Sequence, residues 1–85
     1  MADIVYTSGS IDSVYPINKE NFSLDEMYNL IDCRTVEIIY LAGGRIMVVD
    51  QDGQMRQRSP NMVASLLAGQ EILGAALVCQ KGEIK

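Results

Sequence analysis

Residues 45–49, RIMVV, constrain the fold more than any other segment, because apolar side chains occupy consecutive positions after a single arginine. A β-strand directs alternate side chains to opposite faces of its sheet. Apolar residues at both odd and even positions therefore predict a central strand that is covered on both sides. The glycine pair at 43–44 and the segment 50–53, DQDG, are typical of turns that join antiparallel strands.

Four further segments have the composition of strands or the turn signals that bound them. Residues 35–41, TVEIIYL, predict the strand before RIMVV, and residues 54–57, QMRQ, predict a short strand after it. Near the N-terminus, residues 2–8 and 11–16 predict a hairpin around a Ser-Gly-Ser turn. The three strands from residue 35 to residue 57 are predicted to form a meander.

A helix over residues 23–31 has the clearest start signal in the chain. Ser23 suits the N-cap, and Glu26, three residues later, completes a capping box. Phe22 precedes the cap, where it can pack against Met27 as a hydrophobic staple. An apolar stripe at helical spacing follows, formed by Leu24, Met27, Tyr28 and Ile31.

A second helix is predicted after residue 58. Ser59 is the predicted N-cap and Pro60 the first helical residue, because the missing N–H of proline costs nothing there. Gly69 suits a left-handed helix end. Residues 75–79, AALVC, predict the last strand, and residues 80–85 predict a frayed tail. The apolar face of this helix is predicted to consist of Met62, Val63, Leu66 and Leu67.

The order ββαβββαβ predicts an α+β domain with a mainly antiparallel sheet of five to six strands and two short helices. With 85 residues, the chain is predicted to form a single domain, 1–85. The sequence contains no apolar run approaching the ~18 residues of a membrane span. Its start, MADIVYTSGS, lacks the basic and apolar regions of a signal peptide, so a cytoplasmic location is predicted.

The chain has no histidine, which excludes Ser-His-Asp and Cys-His catalysis and His-ligated zinc. Cys33 and Cys79 are its only cysteines and form no CxxC pair, so two buried thiols are predicted, with a disulfide or a reactive thiol as the alternatives. The DQDG turn lacks the spacing of a calcium loop. We therefore predict a non-enzymatic protein with no metal and no cofactor. A net charge of −4 argues against broad nucleic-acid binding.

The stretch RQRSPNM contains the candidate ligand site. Arg56 and Arg58 are two residues apart, so both guanidiniums lie on the same side if this segment is a strand. Beside a helix start at Ser59 and Asn61, they are placed to bind a phosphate or a carboxylate. In the alternative interpretation Ser59 only caps its helix, and the arginines are solvated or pair with the carboxylates of the 50–53 turn.

Apolar residues make up 48% of the chain, which is a large share for a small core to bury. An exposed apolar patch marks a partner or self-association surface. Tyr40, Met55 and Met62 are the candidate interface residues, because Tyr and Met are enriched at interfaces. The alternative is that all three lie in the core.

Several stretches carry a resemblance to a known family. They are FSLDEM before VEIIYL, followed by GGRIMVVDQDG, PNMVASLL and ILGAALVC. This pattern resembles a family of small uncharacterised bacterial domains often carried by phages and mobile elements, and it covers residues 22–80. The chain differs from that family at 32–33, where Gly-Gly is usual, and in lacking a spacer between Pro60 and Asn61. The resemblance implies a mobile-element accessory protein, a class that includes inhibitors of host defence.

The residues and the resemblance together favour a small interaction module that acts by binding a protein partner or by self-association as a homo-oligomer. The alternative function is binding of a small anionic ligand, a nucleotide or phosphate, at Arg56, Arg58 and Ser59.

Overall fold

The computed structural model describes residues 2–84. Its helices and strands in chain order are β1 (Ala2–Val5), β2 (Ile11–Val14), α1 (Leu24–Ile31), β3 (Val36–Tyr40), β4 (Arg45–Asp50), α2 (Met62–Ala68) and β5 (Ala76–Gln80). Short 3₁₀ turns occupy Ala42–Gly44 and Lys81–Glu83. The predicted α+β class is confirmed, with the order ββαββαβ in place of ββαβββαβ.

The strands form one antiparallel sheet with the order β2-β1-β5-β4-β3. Met47 of β4 lies opposite Ile39 of β3 on one side and Val78 of β5 on the other. Residues 46–49 are buried on both faces of the sheet. The prediction that RIMVV is a central, doubly covered strand is therefore confirmed.

Each face of the sheet carries its own apolar core. On one face, α1 buries Met27 and Ile31 in a cluster that includes Ile46. On the other face, α2 buries Ala64 in a cluster that includes Met47. We call these the α1 face and the α2 face. Successive side chains of β4 alternate between them, as the pleat of a strand requires.

Local signals determine where α1 begins. Ser23 Oγ accepts a hydrogen bond from the Glu26 N–H at 3.2 Å, and Glu26 Oε1 accepts one from the Ser23 N–H at 3.0 Å, so the predicted capping box is confirmed. Glu26 Oε2 also accepts from the Ile17 N–H at 3.0 Å. The hydrogen bonds from Ile17 and Ser23 lower the pKa of Glu26 below its usual range. The helix ends at Asp32, which has the left-handed φ of 54°.

The predicted strand at 54–57 is wrong, because residues 51–57 form consecutive turns. The Arg56 N–H donates to the Asp52 carbonyl and the Arg58 N–H to the Gly53 carbonyl, both at 2.9 Å. Gln57 has a left-handed φ of 56°, which lies outside the strand region. Local hydrogen bonds thus use backbone donors that a strand would offer to a neighbour, and the sheet has five strands.

The start of α2 also differs from the prediction of Ser59 and Pro60. Asn61 is the N-cap, and its Oδ1 accepts from the Ala64 N–H at 3.1 Å. Pro60 lies before the helix in an isolated bridge to Leu73. The predicted end is confirmed, because the helix terminates at Gly69 with a left-handed φ of 71°.

The segment predicted as a frayed tail is ordered up to residue 84. Lys81–Glu83 form a 3₁₀ turn, and the Phe22 N–H donates to the Glu83 carbonyl at 2.6 Å. Ile84 packs against the core of the α1 face. Lys85 lies outside the described residues. None of the helices within residues 2–84 has the length and apolar content to cross a membrane.

Candidate functional site

Arg56 and Arg58 converge on one buried carboxylate. Arg56 Nη1 lies 3.0 Å, and Arg58 Nε 3.5 Å, from Asp50 Oδ2. The Asp50 side chain is 2% exposed, whereas those of Arg56 and Arg58 are 37% and 24% exposed. Asp50 ends β4, and the turns at 51–57 bring both arginines back to it. A carboxylate this deeply buried requires such compensation.

The same guanidiniums bind the C-terminal end of α1. Arg56 Nη1 donates to the Asp32 carbonyl at 3.2 Å. Arg58 Nη2 donates to that carbonyl as well and lies 3.3 Å from Asp32 Oδ2. The last carbonyls of a helix lack helical donors and carry partial negative charge. The two arginines therefore bind anionic groups that belong to their own chain.

Ser59 and Asn61 take no part in these contacts. The Ser59 carbonyl accepts from the Gly74 N–H at 2.8 Å. The Asn61 side chain is fully buried, and its Nδ2 donates to the Val5 and Gly74 carbonyls, each at 2.9 Å. Asn61 thus ties the start of α2 to β1 and to the chain before β5, and it presents no donor to a ligand.

An open cleft of about 590 Å³ lies between the end of α1 and the turns before α2. Arg56, Arg58, Ser59 and Asp32 line it, together with Tyr6. Burial, followed by the charge of Asp12, raises the pKa of Tyr6, so this phenol is neutral at physiological pH. The ion pairs with Asp50 and Asp32 match the interpretation in which the arginines pair with carboxylates of the chain. Binding of an external anion in the cleft stays a prediction.

Comparison with known proteins identifies a family over nearly the whole chain. Residues 5–84 match the model of a family described as Domain of unknown function (DUF3846). The chain belongs to this family. The match extends beyond the residues 22–80 that carry the resemblance seen in the sequence. No curated protein and no solved structure matches this chain. Its association with phages and mobile elements stays a prediction.

Both cysteines of the DUF3846 domain are buried and free, so the prediction of buried thiols is confirmed. Burial and the charge of Asp50 raise the pKa of Cys33, against the opposing charges of the two arginines. Burial raises the pKa of Cys79 to about 11. Both thiols are therefore protonated at neutral pH and lack the thiolate that nucleophilic attack requires. Among residues 2–84, no three His, Cys, Asp or Glu side chains are placed to hold a metal ion.

The predicted interface residues of the DUF3846 domain lie on three separate elements. Tyr40 of β3 is 71% exposed, Met55 in the turns after β4 is 85% exposed, and Met62 at the start of α2 is 72% exposed. A residue must be exposed in the single chain to take part in an interface. That these three residues do so stays a prediction. Leu66 is not in the predicted set, although it is 82% exposed. Its spacing from Met62 gives the signal, because residues four apart share one side of a helix.

Proposed function

We propose that the DUF3846 domain is a non-enzymatic interaction module that binds a protein partner through the outer side of α2. One observation carries the proposal: α2 buries Ala64, whereas Met62 and Leu66 are 72% and 82% exposed. Met62 and Leu66 lie on the same side of the helix, and Leu67, 46% exposed, lies beside Leu66. We call these three residues the α2 stripe. Contiguous exposed apolar side chains of this kind are typical of binding surfaces.

Polar anchors set the rotation of α2 and thereby keep the stripe outside. Asn61 is buried before the first turn. Ser65 Oγ donates to the Asn61 carbonyl at 2.7 Å and accepts from the Ile72 N–H at 2.8 Å. A rotation that buried Met62 and Leu66 would break the hydrogen bond from the Ile72 N–H and those that Asn61 Nδ2 donates outside the helix. Each buried group left without a partner costs about 1–3 kcal/mol. The exposure of the stripe is therefore a fixed property of the fold.

The charge distribution favours a protein partner over a nucleic acid. The chain carries a net charge of −4, and α2 contains no charged residue. Arg56 and Arg58 are paired with Asp50 and are not free to neutralise phosphates. Flexible Met and Leu side chains match the apolar core of a protein interface.

A non-enzymatic role is supported by the residue types present. The chain has no histidine, and its two thiols are protonated at neutral pH. A cytoplasmic location and a mobile-element context complete the proposal. The two unpaired cysteines are typical of proteins from a reducing compartment, and the resemblance of the sequence to domains carried by phages supports the mobile-element context.

The test is capture of a partner from a lysate of the cells that produce the protein, with the full chain as bait. Leu66→Asp places a charge in the α2 stripe. Ile17→Asp is the matched control, since Ile17 is 84% exposed and lies outside α2. A partner retained by the wild type and by Ile17→Asp but lost by Leu66→Asp supports the proposal. Equal capture by wild type and Leu66→Asp contradicts it.

Binding of a small anion is the second candidate function. The cleft of about 590 Å³ and the partial exposure of Arg56 and Arg58 favour it, and their ion pairs with Asp50 weigh against it. Specific binding raises the melting temperature by mass action. A thermal-shift series with inorganic phosphate and with nucleotides tests it. A shift in the wild type that disappears in Arg58→Gln supports the site, and the absence of any shift contradicts it.

A further inference from the structure

The outer edge of β3 presents backbone groups without a partner strand, since β3 is the last strand on its side of the sheet that residues 2–84 form. The Gln51 N–H donates to the Thr35 carbonyl at 3.2 Å, and the Leu41 N–H donates to the Arg45 carbonyl at 2.9 Å. Hydrogen-bonded pairs alternate along an antiparallel ladder. The bonded residues of β3 are therefore Glu37 and Ile39. The N–H and C=O groups that point away from β4 belong to Val36, Ile38 and Tyr40.

A twofold register centred on Ile38 pairs all of these outward groups with those of a second copy. Ile38 then lies opposite Ile38 of the second copy, and Val36 lies opposite Tyr40. Each of these pairs exchanges two backbone hydrogen bonds. Their side chains share the α1 face, where Ile38 and Tyr40 are 36% and 71% exposed in the single chain. The pairing therefore covers two exposed apolar side chains with apolar neighbours.

The same register places no two charges directly opposite each other. Glu37 is the only charged residue in β3, and it lies opposite Ile39 of the second copy. The two Glu37 side chains are diagonal neighbours, about 7–8 Å apart. They are exposed to solvent, which weakens their repulsion. The edge of β3 is thus complementary to itself in hydrogen bonds, shape and charge.

The other edge of the sheet lacks this complementarity. The Tyr6 N–H donates to the Ser10 carbonyl at 2.9 Å, so the outward residues of β2 are Ile11 and Ser13. The twofold register that pairs Ile11 with Ser13 sets Asp12 directly opposite Asp12 of the second copy. Like charges directly opposite each other destabilise a strand pair. This edge carries the kind of charge that natural sheets use to prevent pairing.

We propose that β3 pairs antiparallel with β3 of a second copy, in the register centred on Ile38, to form one continuous sheet across a twofold axis. This surface is separate from the α2 stripe and leaves that stripe free for a partner. Edge pairing of five-residue strands belongs to the small class of interfaces, which bury less than about 1,200 Å² and are weak. A concentration-dependent dimer is therefore expected in sedimentation measurements at concentrations up to roughly 1 mM.

A cysteine crosslink tests the register. Residues opposite each other in a hydrogen-bonded pair have Cα atoms about 5.5 Å apart, within the range that a disulfide spans. Ile38→Cys is therefore expected to crosslink in full-length protein under mild oxidant. Tyr40→Cys is the matched control on the same strand. Its Cα atoms would be about 14 Å apart across the axis, too far for a disulfide, although Tyr40 is the more exposed residue.

Crosslinking of Ile38→Cys at least tenfold faster than Tyr40→Cys supports the pairing. Equal rates, or faster crosslinking of Tyr40→Cys, overturn it, because random collision favours the more exposed thiol. Cys33 and Cys79 are buried and provide little background reaction. The wild type and Cys33→Ser measured in parallel verify this.

A second pair of variants tests the hydrogen bonds themselves. The Ile38 N–H points outward, so Ile38→Pro in both copies removes the two bonds at the twofold axis and leaves the bonds between β3 and β4 in place. Ile38→Lys sets two charges opposite each other and serves if the proline variant fails to fold, as judged by circular dichroism. Sedimentation should give a monomer for each folded variant and a dimer for wild type and Leu66→Lys. A wild type that is monomeric at all concentrations, or a dimer lost only in Leu66→Lys, overturns the proposal.

Discussion

The two helices of this DUF3846 domain differ in the size of the apolar side chains that they bury. α1 places Met27 and Ile31 of its predicted apolar stripe in the core, whereas Leu24 of that stripe is 49% exposed. α2 places Ala64 in the core and leaves Met62 and Leu66 in solvent. The start of α1 is held by its own residues, whereas the start of α2 is held by Asn61 hydrogen bonds that reach across the fold. An apolar stripe therefore faces the core only where no stronger anchor sets the rotation of the helix.

The largest expected difference is in the free energy of unfolding that each helix loses when its cap residue is replaced. Asn61→Ala leaves the Val5 and Gly74 carbonyls and the Ala64 N–H without their partner, and we expect it to lower the free energy of unfolding by about 4 kcal/mol. Ser23→Ala removes a local cap and should cost about 1 kcal/mol. Urea unfolding of both variants measures the difference.

Asn61→Asp separates the two roles of the amide, since it keeps the acceptor for the Ala64 N–H and loses the two donors. Its loss of stability should be at least that of Asn61→Ala, because a buried carboxylate would also lie against the two carbonyl oxygens. A loss no larger than that of Ser23→Ala would mean that α2 is held by its cap alone.

A matched pair of methionine truncations compares the packing of the helices. Met27 is 3% exposed and Met62 is 72% exposed. Met27→Ala should lower the free energy of unfolding by about 3 kcal/mol, because it leaves a cavity in the core of the α1 face. Met62→Ala should change it by less than about 0.5 kcal/mol. Similar losses for the two variants in urea titrations would mean that α2 buries its stripe.

The C-terminal ends of the helices differ in their partners. Two arginines bind the end of α1, whereas α2 ends at Gly69 with no basic residue in its last turn. The double variant Arg56→Gln, Arg58→Gln leaves the Asp50 carboxylate uncompensated and should cost about 2 kcal/mol, a value reduced for the partial exposure of the arginines. Thermal unfolding with Arg45→Gln as the exposed control provides the measurement. An unchanged melting temperature would remove the structural role of the pair and strengthen the anion hypothesis.

The smallest expected difference is a dependence on pH. The folded pKa of Glu26 is lowered, chiefly by its hydrogen bond from Ile17, whereas the cap of α2 does not titrate. The contribution of Glu26 to stability is therefore present above its unfolded pKa, and it is lost as the pH falls through its lower, folded pKa. Glu26→Gln should flatten the decline in stability between about pH 5 and pH 3. Glu20→Gln, which removes an exposed carboxylate outside the two helices, is the control measured in parallel.

The sequence predicts those parts of the fold whose cause is local. The capping box of α1 depends on residues close together in the chain, and so does the run of apolar residues in RIMVV that face both sides of the sheet. Both predictions are confirmed. Ser59 and Asn61 both satisfy the local rule for an N-cap, and the choice between them depends on carbonyls 56 and 13 residues away from Asn61. No local pattern contains that information.

The candidate site follows the same division. The spacing of the two arginines in a predicted strand makes them candidates for an anion site, but the segment forms turns. Those turns place both guanidiniums on Asp50, a partner that the sequence offered only as an alternative. The exposure of Leu66 depends on the rotation of α2, which Asn61 and Ser65 set through the tertiary structure.

The position of β5 in the sheet has a consequence for biosynthesis. β5 lies between β1 and β4, yet the ribosome produces it after every other strand of this domain. Until it emerges, the β1–β2 and β3–β4 hairpins have no strand to join them, and each exposes the edge that β5 will later occupy. A nascent chain that pauses before residue 76 therefore presents two unjoined hairpins to the chaperones of the cell. Assembly of the sheet awaits completion of this last strand, and such dependence on distant contacts makes folding slow.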